Sequence, residues 1–213
     1  MIVSFRHRFI FVAIPKTATH ALRAALRPHL DTRDWEQCGL FEQRRFPVVA
    51  LAEIGHGHIT CRELYPFLLP DVWESCFRFC IVRDPCERFV SYCRFMNRDN
   101  GRMRDDPIGT MKRTLAWAAD GQHVLFRPQH EFVTDEDGGL MVNYVGRVEA
   151  LQMHFDRICE TIGLPAAPLD RVNVSGSSAY RDCLDQELTE MVQAHYARDF
   201  ALFDYPPATS QVA

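Results

Sequence analysis

The chain has 213 residues, 47% of them hydrophobic, and a net charge of −4 at pH 7. Such a length and apolar content can build one substantial core, so a single domain over 1–213 is expected, with 205–213 as a flexible tail. The mild negative charge excludes nonspecific nucleic-acid binding through bulk charge.

In chain order, the first predicted element is a strand over Arg8–Ile14. Its apolar run, Phe9 to Ile14, is the longest in the chain; it is too short to span a bilayer and follows no signal-like leader, so no membrane span is expected. The strand stops at Pro15, followed at once by Lys16-Thr17 and a helix near Thr19–Leu30. A strand that hands a turn to a helix start presents free N–H groups and the positive end of the helix dipole, which favour an anion. Lys16 adds a point charge and Thr17 a hydroxyl. The Gly-x-x-x-x-Gly of a nucleotide-hydrolysing P-loop is missing, which disfavours a Walker-type or kinase-like reading. Taken alone, the segment suits a plain strand–turn–helix junction equally well.

Thr32–Arg45 reads as a polar connection and Pro47–Leu51 as a short strand. The turn Gly55-His56-Gly57-His58 comes next, then a helix from near Thr60. Two imidazoles on a glycine-flanked turn can lie close to a ligand, and histidine is the natural general base near neutral pH. A metal pair or a solvated loop is the bland account, and nothing supplies obvious further metal ligands. Glu53 is an alternative base.

A second apolar strand, Arg78–Val82, ends at Arg83-Asp84-Pro85 and leads into a helix over Pro85–Met96. Proline suits the first helical turn and Asp84 the N-cap. Arg83 can fork onto a phosphate, and Ser91, two helical turns on, can face the same side. Arg88 can instead pair with Asp84. Arg98 to Asp106 reads as a solvated surface loop, and helices follow over Ile108–Ala119, Glu149–Ile162 and Asp185–Phe200. The eight cysteines lack any Cys-x-x-Cys pair and read as reduced, mostly buried thiols. Strands alternating with helices give an α/β protein with a mainly parallel sheet, whose ligands bind beyond the carboxyl ends of the strands.

The ordered pair of motifs resembles the sulfotransferase family. The family's 5′-phosphosulfate loop, Pro-Lys-Thr-(Gly/Ala)-(Gly/Ser)-Thr-Ser, is similar to Pro15-Lys16-Thr17-Ala18-Thr19-His20-Ala21. Its 3′-phosphate segment, Val-Arg-(Asp/Asn)-Pro-x-x-Arg-x-x-Ser, is similar to Val82 through Ser91. Arg127-Pro128-Gln129, Gly138-Gly139, Tyr144 to Leu151, Val172 to Ser175 and Tyr196 to Tyr205 resemble blocks of the carbohydrate-type branch. The likeness therefore covers nearly the whole chain. His20-Ala21 departs from the usual Thr-Ser and removes two hydroxyl donors, one of which His20 could replace from its ring.

This resemblance implies a three-layer α/β fold, a mainly parallel sheet flanked by helices, like that of P-loop NTPases. It implies 3′-phosphoadenosine-5′-phosphosulfate (PAPS) as donor and no metal. Pro15, Lys16, Thr17, Ala18, Thr19 and His20 would hold the 5′ end, and Arg83 and Ser91 the 3′-phosphate. Ser178 and Tyr180 fall in the segment that closes over the nucleotide. Lys16 would neutralise charge on the bridging oxygen. His56-Gly57-His58 is similar to the His-Gly-His of uronyl 2-O-sulfotransferases, which makes His56 the base and His58 its support, with the order of the two left open. The expected reaction is sulfuryl transfer to a hydroxyl of a carbohydrate or glycoconjugate. A peptidyl tyrosine or small phenol is an alternative acceptor, and a non-catalytic nucleotide-binding module is an alternative of another class. Animal relatives in this branch are usually Golgi-anchored by an N-terminal helix; without one, the expectation is a soluble, bacterial, cytoplasmic enzyme. Acceptor identity, regiochemistry and oligomeric state are not legible.

Overall fold

A computed structural model describes residues 1–39, 43–120, 123–169 and 183–207. Among them the strands are β1 Ile2–Ser4, β2 Phe9–Val12, β3 Trp35–Glu36, β4 Phe77–Val82 and β5 Tyr144–Arg147. The α-helices are α1 Thr19–Leu26, α2 Val49–Ala52, α3 Cys61–Leu64, α4 Pro70–Ser75, α5 Pro85–Met96, α6 Arg102–Asp105, α7 Pro107–Asp120, α8 Leu151–Ile162, α9 Gln186–His195 and α10 Ala197–Leu202. The chain forms two units, residues 1–82 with 131–172, and residues 83–130 with 173–213.

The first unit holds the sheet, in the order β3-β1-β2-β4-β5. Its centre is parallel, as the strand–helix alternation predicts: β2 pairs with β4 and β4 with β5, in a register that sets Val12 opposite Cys80 and Val82 opposite Arg147. The sheet as a whole is mixed, because β1 pairs antiparallel with both β2 and β3. A tight reversal from Ser4 to Arg8 makes this hairpin. Asp34 pins it, accepting from the Phe5 N–H at 2.7 Å, the Arg6 N–H at 3.2 Å and the Ser4 hydroxyl at 3.0 Å.

Alternation along the strands sends Phe9, Phe11, Phe79 and Ile81 to one face, where they meet Leu22 and Leu26 of α1 and Leu151, Phe155 and Ile158 of α8. Phe79 lies at the middle of this layer, with ring centroids 5.4 Å from Phe11 and 5.9 Å from both Phe9 and Phe77. Cross-strand aromatic contacts of this kind add to area burial. On the other face Ile10, Val12, Cys80 and Val82 are buried too. There Arg78 Nε donates to the Met141 carbonyl at 3.0 Å, and the guanidinium lies 5.0 Å from the Trp73 ring of α4.

The predicted helix from Thr60 is present as α3, opened by a capping box in which Thr60 and Glu63 each accept the other's backbone N–H. Pro47–Leu51 is not a strand. Val48 ends extended and Val49–Ala52 turns as helix, leaving Val49 exposed and only Leu51 of the turn buried. With one apolar residue to bury, the segment has no alternating face to offer a sheet.

The second unit is helical. Phe126 lies at its centre, with ring centroids 5.3 Å from Tyr92 and 5.6 Å from Tyr196, and its carbonyl accepts from the Tyr196 hydroxyl at 2.9 Å. Lys112 of α7 pairs with Asp185, the N-cap of α9, at 2.9 Å. The predicted Asp185–Phe200 helix is broken at Tyr196 into α9 and α10. No helix among the described residues is long and apolar enough to cross a membrane. The tail expected over 205–213 lies largely outside the described residues.

Replacing Phe79 by Ala is expected to cost about 3–5 kcal/mol of unfolding free energy, the usual range for a fully buried phenylalanine. The urea midpoint reads this, and a change under about 1 kcal/mol would remove Phe79 from the centre of the core.

Candidate functional site

β2 and β4 run parallel and side by side, so their carboxyl ends point the same way. Beyond Val12 the chain turns through Ile14-Pro15-Lys16-Thr17-Ala18 into α1, and two non-glycine residues of this turn adopt left-handed backbone, Lys16 with φ 67° and Ala18 with φ 62°. Such residues cost of order 1–2 kcal/mol each and persist where the surroundings hold them. Left-handed residues alternating with ordinary ones make the backbone of concave anion-binding nests. The turn ends at the N-terminus of α1, where Ala18 is the N-cap and makes no side-chain capping bond. Thr17 is buried, and its hydroxyl donates to the Ile14 carbonyl at 2.9 Å. What Thr17 retains for an anion is therefore its N–H, because its hydroxyl proton is given to Ile14. Thr19 is buried, Lys16 half-buried and His20 exposed in the first turn of α1. Desolvation, then Arg23 and Lys16, hold the His20 imidazole below its ordinary value.

The His56-Gly57-His58 turn is tied to this loop. His58 Nδ1 lies 2.7 Å from the Ala13 carbonyl oxygen, just past the end of β2. A carbonyl can only accept, so Nδ1 carries the hydrogen and Nε2 keeps its lone pair. The His58 N–H donates to His56 Nδ1 at 3.3 Å, which in a neutral ring puts the His56 proton on Nε2. The two imidazoles therefore differ: His58 is the one anchored with a bare ring nitrogen. Gly55 starts the turn at φ 77°, where a side chain would be strained. Gln37 Nε2 donates to the Leu51 carbonyl at 2.8 Å and the His56 carbonyl at 3.1 Å. Arg23 of α1, 6% exposed, donates to the Gly57 carbonyl at 2.9 Å, and the Met1 nitrogen donates to the same carbonyl. Burial foremost, with the Met1 amine, Arg23 and His56 acting against charge, pulls His58 down to about 3, although its bond to Ala13 favours the proton. Glu53, the alternative base, is exposed at the end of α2.

In the second unit Asp84 caps α5 as expected, its Oδ1 accepting from the N–H groups of Cys86 (2.9 Å) and Glu87 (3.0 Å). Arg83 is buried, its Nε 3.2 Å from Glu87 Oε2, and Ser91 lies half-buried a further turn along the same face. Arg88 donates to the carbonyls of Leu125 and Arg127, a role inside the unit. Gln129, within the Arg127-Pro128-Gln129 block, is wholly buried against the Arg83 backbone. Arg98 and Arg104 pair with Asp99 and Asp105 at the surface, solvated as expected, but Arg102–Asp105 is the helix α6 and not loop. Ser178 and Tyr180 lie outside the described residues. Among the described residues no His, Cys, Asp or Glu side chains gather as metal ligands would.

Sequence reasoning passed over Arg23 and Gln37 and missed the buried roles of Gln129 and Asp199; all four are buried polar residues on or beside the site segments. The one signal for the last two was their place inside blocks that resemble a family.

The family model described as Sulfotransferase family matches residues 1–206. Comparison with curated proteins and with solved structures gave no match.

An imidazole held below its unfolded value favours folding while neutral, so its contribution is complete above about pH 6.5 and is lost as the pH falls toward 3. His58→Asn keeps an amide donor near the Nδ1 position but does not titrate. Its unfolding midpoint, followed by denaturant melts, is expected to fall less steeply than wild type between pH 6.5 and 3. Parallel curves would mean that His58 is not held neutral.

Proposed function

The chain belongs to the sulfotransferase family, and we propose that it moves a sulfuryl group from PAPS to a hydroxyl of a carbohydrate or glycoconjugate. The observation that carries this reading is the Pro15–Ala18 turn, a strained, glycine-free anion cradle with a lysine at its centre and a helix N-terminus behind it. Its residues fit a phosphosulfate: backbone N–H groups at Lys16 to Thr19, the Lys16 ammonium, and the His20 ring at the rim.

PAPS supplies the sulfuryl group and departs as the bisphosphate, in a displacement where positioning and charge stabilisation do most of the work. Pro15, Lys16, Thr17, Ala18, Thr19 and His20 bind its 5′ end, and Lys16 offsets the charge that develops on the leaving oxygen. Arg83 and Ser91 bind the 3′-phosphate, and Ser178 and Tyr180 belong to the segment that closes the nucleotide. No metal is needed in this scheme.

Hydrogen bonding favours His58 over His56 as the group that takes the acceptor's proton. The Ala13 carbonyl fixes its tautomer and ring, as a base is fixed by a third group in other enzymes. A weak base in the ligand-free chain gains strength once a polyanion sits beside it, because opposite charge stabilises the imidazolium. His56 supports the turn through its bond from the His58 N–H.

Calorimetric titration with 3′-phosphoadenosine-5′-phosphate, with ATP as comparator, tests the donor class. Preferential binding of the bisphosphate, weakened about 10- to 100-fold by Arg83→Ala, supports the reading; no binding, or a preference for ATP, ends it. Lys16→Ala is expected to lower turnover by about 100-fold or more while sparing much of the binding. Of the two histidine variants, His58→Asn is expected to remove turnover and His56→Asn to reduce it; the reverse order would return the base to His56. Bisphosphate affinity is expected to strengthen more steeply from pH 8 to pH 6 in wild type than in His20→Ala, because bound anion draws a proton onto His20. Equal slopes would remove His20 from the cradle.

A further inference from the structure

The second unit contains a buried polar network that the reaction scheme above leaves unused. Gln129 is fully buried, yet every polar atom of its side chain is spent on one residue. Its Oε1 accepts from the Arg83 N–H at 2.9 Å and its Nε2 donates to the Arg83 carbonyl at 2.9 Å. Reciprocal bonds of this kind are what a neighbouring strand would give. They fall one residue past Val82, where the register of β4 with β5 ends.

Gln129 is itself held. Asp199 of α10, also fully buried, accepts from the Gln129 N–H at 2.7 Å through Oδ2. Its Oδ1 accepts from the His130 N–H at 2.9 Å and from His130 Nδ1 at 2.7 Å. A carboxylate is buried at high cost unless it is compensated, and here three donors converge on its two oxygens. The other end of Arg83 is held separately, by Glu87 across a pair in which both side chains are less than 10% exposed. Main chain and guanidinium are thus fixed by different partners.

We propose that Gln129, set in place by Asp199, is the positioning residue for Arg83. It holds the Arg83 main chain so that the guanidinium, steadied by Glu87, is already aimed before a phosphate arrives. An arginine side chain loses much rotational freedom when it binds, and one held beforehand keeps more of its interaction as affinity. The inference rests on the reading that Arg83 binds the donor's 3′-phosphate.

The test is the ratio of two dissociation constants, those of adenosine-5′-phosphate and 3′-phosphoadenosine-5′-phosphate, measured by calorimetry on the full chain. Wild type is expected to prefer the bisphosphate by about 10- to 100-fold, and Arg83→Ala to lose most of that preference. Gln129→Met, close in shape but unable to make either bond, is expected to lower the ratio nearly as far as Arg83→Ala, with the affinity for adenosine-5′-phosphate changing less than about 3-fold. Asp199→Asn is expected to lower the ratio part of the way, and it decides the matter if Gln129→Met does not fold. If wild type shows no preference, the assignment of Arg83 fails and the inference with it. If Arg83→Ala loses the preference but the Gln129 and Asp199 variants keep it, or if they weaken both nucleotides equally, positioning alone is overturned.

Discussion

Between Ile14 and Thr19 the main chain must pass from strand to helix without a glycine, and the surroundings of the candidate site are arranged around that demand. Two residues in left-handed backbone would relax the turn if nothing opposed them. The Thr17 hydroxyl opposes it from inside by closing on Ile14. The His58 ring opposes it from outside, bonded to Ala13 at the end of β2. Burial of Ile14 and Pro15 completes the clamp. The same contacts that support the turn therefore set the tautomer of His58, so in the proposed scheme anion binding and proton transfer would share one piece of scaffolding.

That scaffolding also concentrates positive charge. Arg23 is almost fully buried, and its Nε is one of two buried side-chain polar atoms among the described residues without a hydrogen-bond partner. Leaving such a donor unmet is costly, and a protein keeps it where orientation or potential is worth more. Here the guanidinium grips the Gly57 carbonyl and adds to the burial that, foremost, keeps His20 and His58 short of protons. In the proposed scheme an incoming polyanion would meet cations already in place and imidazoles able to take up a proton as the charge balance changes.

Much of this was legible in the chain itself. Helix α5 begins and ends where Asp84-Pro85 and the apolar spacing predict, and α1 and α3 begin at their predicted residues. The central parallel pair, β2 with β4, follows from two apolar strands, each feeding a helix. Strands β1, β3 and β5, of two to four residues, were not predicted, since a period of two cannot declare itself over so short a span. Pairing in a mixed sheet is likewise a property of the assembled chain. The distinction between His56 and His58 was illegible for another reason: it depends on which carbonyl each ring meets, and Ala13 lies 45 residues away. Gln129 and Asp199, 70 residues apart, are hidden in the same way.

Gly57 illustrates how such a turn constrains inheritance. Its backbone conformation is ordinary, so the restriction is one of space: an added Cβ would lie 2.6 Å from Arg23 Nη2 and would collide with the Gln37 carbonyl oxygen. The first obstacle is a side chain and could be removed by a change at position 23. The second is main chain beside strand β3, which no exchange of side chain removes. A lineage that loses this glycine therefore has no single compensating substitution open to it and recovers the turn by reversion or by rebuilding the edge of the sheet.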